Sequence, residues 1–280
     1  MLAPVQSGHT GQLRLLAIDA STVQERAAIQ TTYRLHTSID LVTLQVQQMR
    51  ITDDKTAEGV NNFELREGDI VLLDRGYNHN RLLVPLIDRG ADIILRYNPH
   101  GLCLYEQADL SSKINWMQRL REYTTDQSFQ VYLLHQGKAI PCWLHAHALS
   151  AEQAAESRRK VKATAKSKGQ TASDKRLLLA GWVLVLTSIA PDVLSFDSIC
   201  NLYRTRWQIE LAFKRMKSLL NIDQLRAKKG SKLAELYLLA KLLYTLVVEK
   251  LTSSQTHHHS QWFLLNPSRR ITPWRLWNCM

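Results

Sequence analysis

Three acidic residues carry the chemistry this chain offers: Asp19, Asp74 and Glu210. Asp19 closes the apolar run LRLLAID. Asp74 closes DIVLLD and leads into RGY, and Glu210 lies within LYRTRWQIELAFKRMK. Short apolar runs read as buried strands, and the last segment has helical spacing. Two acids at strand ends and one on a late helix can converge into a single carboxylate cluster. Oxygen-only clusters of that kind suit hard divalent cations, and a pair of such cations suits phosphoryl transfer.

The late segment supplies neighbours of the right chemistry. At about 100° per residue, Tyr203, Arg206, Glu210 and Lys217 fall on one helical stripe about 60° wide. On a plain solvated face, Arg206 and Glu210 would form an ion pair at i and i+4. On a working face the carboxylate holds a metal, and the two cations and the phenol hold phosphates beside it.

Composition narrows the partners. Among 280 residues, 36 Lys and Arg face 25 Asp and Glu, a formal net charge of +11. That excess favours a polyanion, most simply nucleic acid. The four cysteines, Cys103, Cys142, Cys200 and Cys279, form no C-x-x-C pair, so no zinc ribbon or redox motif is visible. The opening MLAPVQSGHT has no signal-peptide pattern, and no apolar run reaches about 18 residues. The expectation is a chain of a reducing, cytoplasmic setting with no membrane partner.

The elements that must position these residues follow from periodicity. Strands are expected over 12–20, Thr32–His36, Leu41–Ile51, Ile70–Leu73 and Ile93–Leu95, with a short polar helix over Ala57–Leu65 and another over 79–89. That order gives an α/β fold with a mixed sheet and helices on its faces. Residues 98–189 break the pattern with strand-like stretches at Phe129–Leu134, Pro141–Leu149 and Gly181–Ser188. Between the last two, Ser157–Arg176 carries eight basic residues and one acid. It reads as a solvated helix end or loop, or as a mobile arm touching a DNA backbone. One helix is expected from Phe196 to Leu220, ended by Asn221, and a second from Leu233 to Leu251. The implied partition is 1–97, an insertion over 98–189, 190–252 and a tail over 253–280.

The spacing Tyr203-x2-Arg206-x3-Glu210-x6-Lys217 resembles the signature helix of the insertion-sequence-4 family of bacterial DDE transposases. LLDRGYN, with Asp74, Gly76 and Tyr77, and AIDAST, with Asp19, are similar to the family's two aspartate blocks. The resemblance runs from about residue 12 to 251. It implies a ribonuclease-H-like core interrupted by a largely β insertion. It also implies two Mg²⁺ ions (Mn²⁺ substituting) held by Asp19, Asp74 and Glu210, and DNA phosphates held by Tyr203, Arg206 and Lys217. The implied partners are double-stranded DNA at transposon ends and target, and a second copy of the chain in a synaptic complex. The implied activity is metal-dependent DNA cleavage and strand transfer in cut-and-paste transposition.

Family members carry a substantial region before the first aspartate, where this sequence has 18 residues. The expectation is therefore a core without its N-terminal sequence-reading region. A non-catalytic DNA-binding remnant that interferes with a full-length partner is the competing reading, and a structure-selective nuclease of the same fold is a third.

In hairpin-forming members a tryptophan of the insertion stacks on a flipped base, and Trp182 has a comparable place. His145 and His147 share one strand face as a possible metal pair, but no third ligand lies nearby in the sequence. His257, His258 and His259 read as a solvated tail.

Overall fold

The computed structural model describes residues 14–25, 31–225, 227 and 231–255. The elements are β1 (Leu15–Glu25), β2 (Tyr33–Asp40), β3 (Val46–Asp53), β4 (Ile70–Leu73), α1 (Asn80–Ile87), β5 (Asp92–Arg96) and α2 (Trp116–Arg119). They continue as β6 (Gln127–His135), β7 (Lys138–Ala148), α3 (Ala151–Ser167), α4 (Asp174–Leu179), β8 (Trp182–Thr187), α5 (Phe196–Thr205), α6 (Trp207–Leu220), β9 (Gln224–Leu225) and α7 (Lys232–Gln255). The expected fold class holds: the chain is α/β, with a mixed sheet and helices on its faces. It divides into two compact units. A central unit takes in Arg66–Gly68 and Leu73–Tyr203, and a terminal unit takes in Gln12–Leu65, Asp69–Leu72 and the chain from Arg204 onward.

In the terminal unit the strand order is β3-β2-β1-β4, with β9 beside β1. β1 runs antiparallel to β2 but parallel to β4 and β9. Asp19 does not end this strand, as the apolar run suggested. It sits in its middle, where continuous burial (Leu16, Ala17, Ile18) gives way to alternation (Ser21, Val23 and Glu25 in, Thr22 and Gln24 out). A strand buried on both faces needs an unbroken apolar run, whereas one buried on a single face needs only every second residue. The Leu41–Ile51 strand expected from sequence also starts later, at Val46. Asp40 Oδ1 accepts from the amides of Val42 and Thr43, and Leu44 turns at φ 58°, so 41–44 form the hairpin turn.

The helix expected over Ala57–Leu65 reduces to one 3₁₀ turn, Val60–Asn62. The Gln48 side chain accepts from the Glu64 amide and donates to the Glu64 carbonyl. Both backbone groups of Glu64 are thereby satisfied without a helix. The single helix expected from Phe196 to Leu220 is interrupted at Arg206, although Arg206 keeps right-handed helical dihedrals (φ −53°, ψ −30°). It ends as expected at Asn221, whose φ of 47° is the left-handed cap that Asn tolerates well.

α6 and α7 cover this part of the sheet. Ile209, Phe213 and Met216 from α6 join Ala17, Val23, Leu35 and Ile39 from β1 and β2 in one buried cluster, and Ala234, Leu238 and Leu242 from α7 complete it. Glu249 near the end of α7 accepts from the Val46 amide, and Lys241 donates to the carbonyl of Asn221.

The central unit carries the order β5-β8-β7-β6, antiparallel throughout. The β6–β7 hairpin turns on Gln136 and Gly137, both at positive φ, the twist-compatible two-residue loop. α1 buries Leu82, Leu83, Val84 and Leu86. The basic segment within Ser157–Arg176 is mostly helical: it supplies the second half of α3 and the start of α4. The tail histidines and Trp262, Trp274 and Trp277 lie outside the described residues.

Leu238 is fully buried between α7 and the sheet cluster. Leu238→Ala is expected to lower stability by about 2–5 kcal/mol, read as a shift of the urea midpoint at unchanged slope.

Candidate active site

Within the terminal unit the structure gathers Asp19, Arg206 and Glu210. Asp19 projects from mid-β1, Arg206 precedes α6 and Glu210 lies in the first turn of α6. Arg206 Nη1 stands 3.5 Å from Asp19 Oδ2, and Nη2 donates to Glu210 Oε1. The guanidinium is 6% exposed, Asp19 19% and Glu210 37%. A buried cation is thus flanked by two carboxylates that reach progressively further towards solvent. The contact depends on the apolar packing of α6, because Ile209 and Phe213 seat the helix on β1 and so set where Glu210 points.

A cleft of about 510 Å³ opens beside this group. It is lined by Ala20 and Ser21 from β1 and by Glu210, Phe213, Lys214, Lys217 and Ser218 from α6. Glu210, Lys214, Lys217 and Ser218 follow i, i+4, i+7, i+8 spacing, one helical stripe. The expected juxtaposition of Glu210 with Lys217 is therefore present. Ser21 and Lys214 were missed in the sequence, although AIDAST and helical periodicity point to both.

Among the described residues, no group of three or more His, Cys, Asp or Glu side chains is gathered tightly enough to hold a metal ion. What is gathered is two carboxylates turned onto one cation. Two carboxylates are also what Mg²⁺ commonly takes from a protein, its remaining positions going to water and phosphate. The donor set fits a hard divalent cation.

Asp74 and Tyr203 belong to the central unit. Asp74 follows β4, and its Oδ1 accepts from the Gly76 amide at 2.6 Å, capping the 3₁₀ turn Arg75–Tyr77. Tyr203 is buried in α5. Arg96, at the end of β5, was not singled out in the sequence. It is 5% exposed, and among the described residues its Nε and Nη1 have no hydrogen-bond partner. Burial and the nearby Arg75 hold its pKa down to about 9, with Tyr203 and Cys200 acting in the opposite sense. It remains a cation at neutral pH, and a buried cation with unmet donors favours an anion. The sequence signal was a lone Arg closing the apolar run DIILR.

Trp182, read as a base-stacking residue, is 8% exposed at the start of β8. Its ring offers a base almost no free face in this conformation. His145 and His147 do share a face of β7, but each is otherwise engaged. His145 is fully buried, bonded to Ser128 Oγ and packed edge-on against Phe196. His147 Nδ1 lies 2.8 Å from Asp126 Oδ2.

Burial lowers the His145 pKa from 6.5 to about 4. The unfolded chain therefore takes up a proton at higher pH than the folded one. The neutral ring's contribution is complete above pH 6.5 and is lost as pH falls towards 4, at about 1.4 kcal/mol per pH unit at most. Thermal melts should show stability falling over that window, and less steeply in His145→Gln. Equal slopes in the two proteins would remove His145 from the account.

Residues 10–246 match the family described as "Transposase DDE domain". The chain is 30% identical over 251 residues to the putative transposase InsL for insertion sequence element IS186A of Escherichia coli (strain K12), covering 87% of this chain and 67% of that protein. It is equally similar to the transposase for insertion sequence element IS421 of Escherichia coli. To the transposase for insertion sequence element IS231F of Bacillus thuringiensis subsp. israelensis it is 29% identical over 196 residues, covering 64% of this chain and 40% of that protein. With the acid–arginine–acid arrangement lying inside the matched span, the chain belongs to the DDE-domain transposase family.

Proposed function

We propose that this chain is the catalytic core of a DNA transposase of the insertion-sequence-4 type, cutting and joining DNA strands in cut-and-paste transposition. The observation that carries the reading is the convergence of Asp19 and Glu210 on the buried Arg206 beside a lysine-lined cleft. The net charge of +11 supports a polyanionic substrate, double-stranded DNA at transposon ends and target. Residues 98–189 form the insertion, and a pair of chains forms the synaptic complex. Among the described residues no helix is long and apolar enough to cross a membrane.

Asp19, Asp74 and Glu210 would hold two Mg²⁺ ions, with Mn²⁺ able to replace them. When bound, such ions make an attacking oxygen nucleophilic and stabilise the departing one. The chain's own residues do the rest. Arg206 keeps Asp19 and Glu210 aligned, since its buried guanidinium lies between the two carboxylates. Lys217, one stripe along α6 from Glu210, holds a phosphate of the bound strand as a point charge. In the central unit, Tyr203 and the buried Arg96 would hold a phosphate. Arg96 suits that role because its unmet donors have a fixed fork geometry.

Glu210→Gln and Asp19→Asn should each cut divalent-metal-dependent cleavage of a transposon-end duplex by about 10²–10⁴-fold, with DNA binding in EDTA retained. Full activity in either variant would sink the assignment. Binding without cleavage in the unaltered protein, with Mg²⁺ or Mn²⁺, would replace it with a non-catalytic remnant. Lys217→Ala should instead raise KM more than it lowers kcat, because a phosphate contact made equally in ground and transition states acts on binding. Steady-state cleavage kinetics separate the two effects.

A further inference from the structure

Helix α3 carries a cationic face that the proposed active site does not use. From Ser157 to Ser173 the chain has six basic residues and no acid. Not all six have the same job. Arg158 is a structural anchor: its Nε donates to the Leu177 carbonyl, and Gly181 leaves room for its guanidinium, since a Cβ there would lie 3.0 Å from Nη2. Arg159 and Lys160 are drawn to Glu156, at 2.5 and 3.8 Å. Lys162, Lys166 and Lys168 are exposed and make no ion pair among the described residues.

These three lysines are held on a firm support. Ser150 and Gln153 form a reciprocal capping box at the start of α3, and Ala154 and Ala165 are buried beneath it. Lys162 and Lys166, four residues apart, share a face about 100° round the helix from those alanines. Like charges at that spacing destabilise a helix by a few tenths of a kcal/mol. The helix dipole compensates only in the last turn, so it accounts for Lys166 and Lys168 but not for Lys162. A polyanion lying along the face would relieve the repulsion.

We propose that Lys162, Lys166 and Lys168 form a second DNA-backbone contact surface, one that adds affinity without reading sequence. This rests on the transposase reading for the identity of the polyanion. A membrane surface fits less well. An interfacial helix needs large apolar side chains beside its cations, whereas the exposed uncharged positions of α3 include Ala155, Ala163 and Thr164, and its only larger apolar residue, Val161, is half-buried.

The test is fluorescence anisotropy of the full chain with an arbitrary 30-base-pair duplex, in EDTA, from 50 to 200 mM NaCl. Each lost phosphate contact lowers the slope of log K against log salt by about 0.9. The triple variant Lys162→Gln, Lys166→Gln, Lys168→Gln should therefore have a slope shallower by about 2.7. Over that salt range it should lose about 40-fold less affinity than the unaltered protein. The same three positions changed to Arg should retain the original slope, and matching circular dichroism in all three proteins excludes misfolding as the cause. Equal slopes in the Gln variant and the unaltered protein would overturn the proposal. So would loss of binding to phosphatidylserine vesicles with the DNA slope unchanged. Because binding is read without metal, absence of cleavage would count against the catalytic reading alone.

Discussion

The Arg206 guanidinium between Asp19 and Glu210 is the contact on which the site depends. The two acids come from different elements, a strand and a helix, and the apolar contacts of Ile209 and Phe213 with the sheet cluster bring those elements together. Packing alone would leave two like-charged carboxylates facing each other in a partly buried place, where they repel. A cation that is 6% exposed avoids this. Taking it away would leave two like charges uncompensated in a partly buried place. The trio keeps a net charge of −1, and that residual charge suits a divalent cation that brings its own phosphate partner.

α6 serves stability and chemistry through two faces of one helix. Ile209, Phe213 and Met216 are buried in the cluster, while Glu210, Lys214, Lys217 and Ser218 line the cleft. A change on either face is therefore felt on the other. A cavity beneath Phe213 would let the helix shift and would move Glu210 relative to Asp19, since interiors packed at crystal density transmit such shifts rather than absorb them. β1 has the same double use: Leu16, Ala17 and Ile18 are fully buried, and Asp19, Ala20 and Ser21 follow directly.

Much of this was legible in the sequence because the signals were local. Ile70–Leu73 is an isolated apolar run and folds as one strand with those bounds. The helix spacing from Arg206 to Lys217 survives because one helix carries it from Glu210 onward. What was not legible depended on partners distant in sequence. The helix expected at Ala57–Leu65 fails because Gln48 binds the backbone of Glu64. β1 continues past Asp19 because Asp19 through Val23 pair with Thr37 through Tyr33 of β2, which a run of mixed polarity does not announce. Arg96 was invisible for a different reason. Its interest lies in donors left without partners among the described residues, and no sequence pattern reports an absence of that kind.

The cations fall into two physical classes, and the distinction bears on how a basic chain becomes a specific one. Arg206 and Arg96 are about 5% exposed, so each has been desolvated on folding and holds a fixed geometry. Such groups favour an anion placed at one point, and salt screens them weakly. The α3 lysines are exposed on flexible stems and have not been desolvated. They attract any phosphate chain, add counterion release to affinity and are screened strongly. Net charge alone does not separate these roles, since every cation contributes equally to the +11. Burial does: on the proposed reading the exposed lysines would govern encounter with DNA, Arg206 would hold the two acids in place, and buried Arg96 would fix where a phosphate comes to rest.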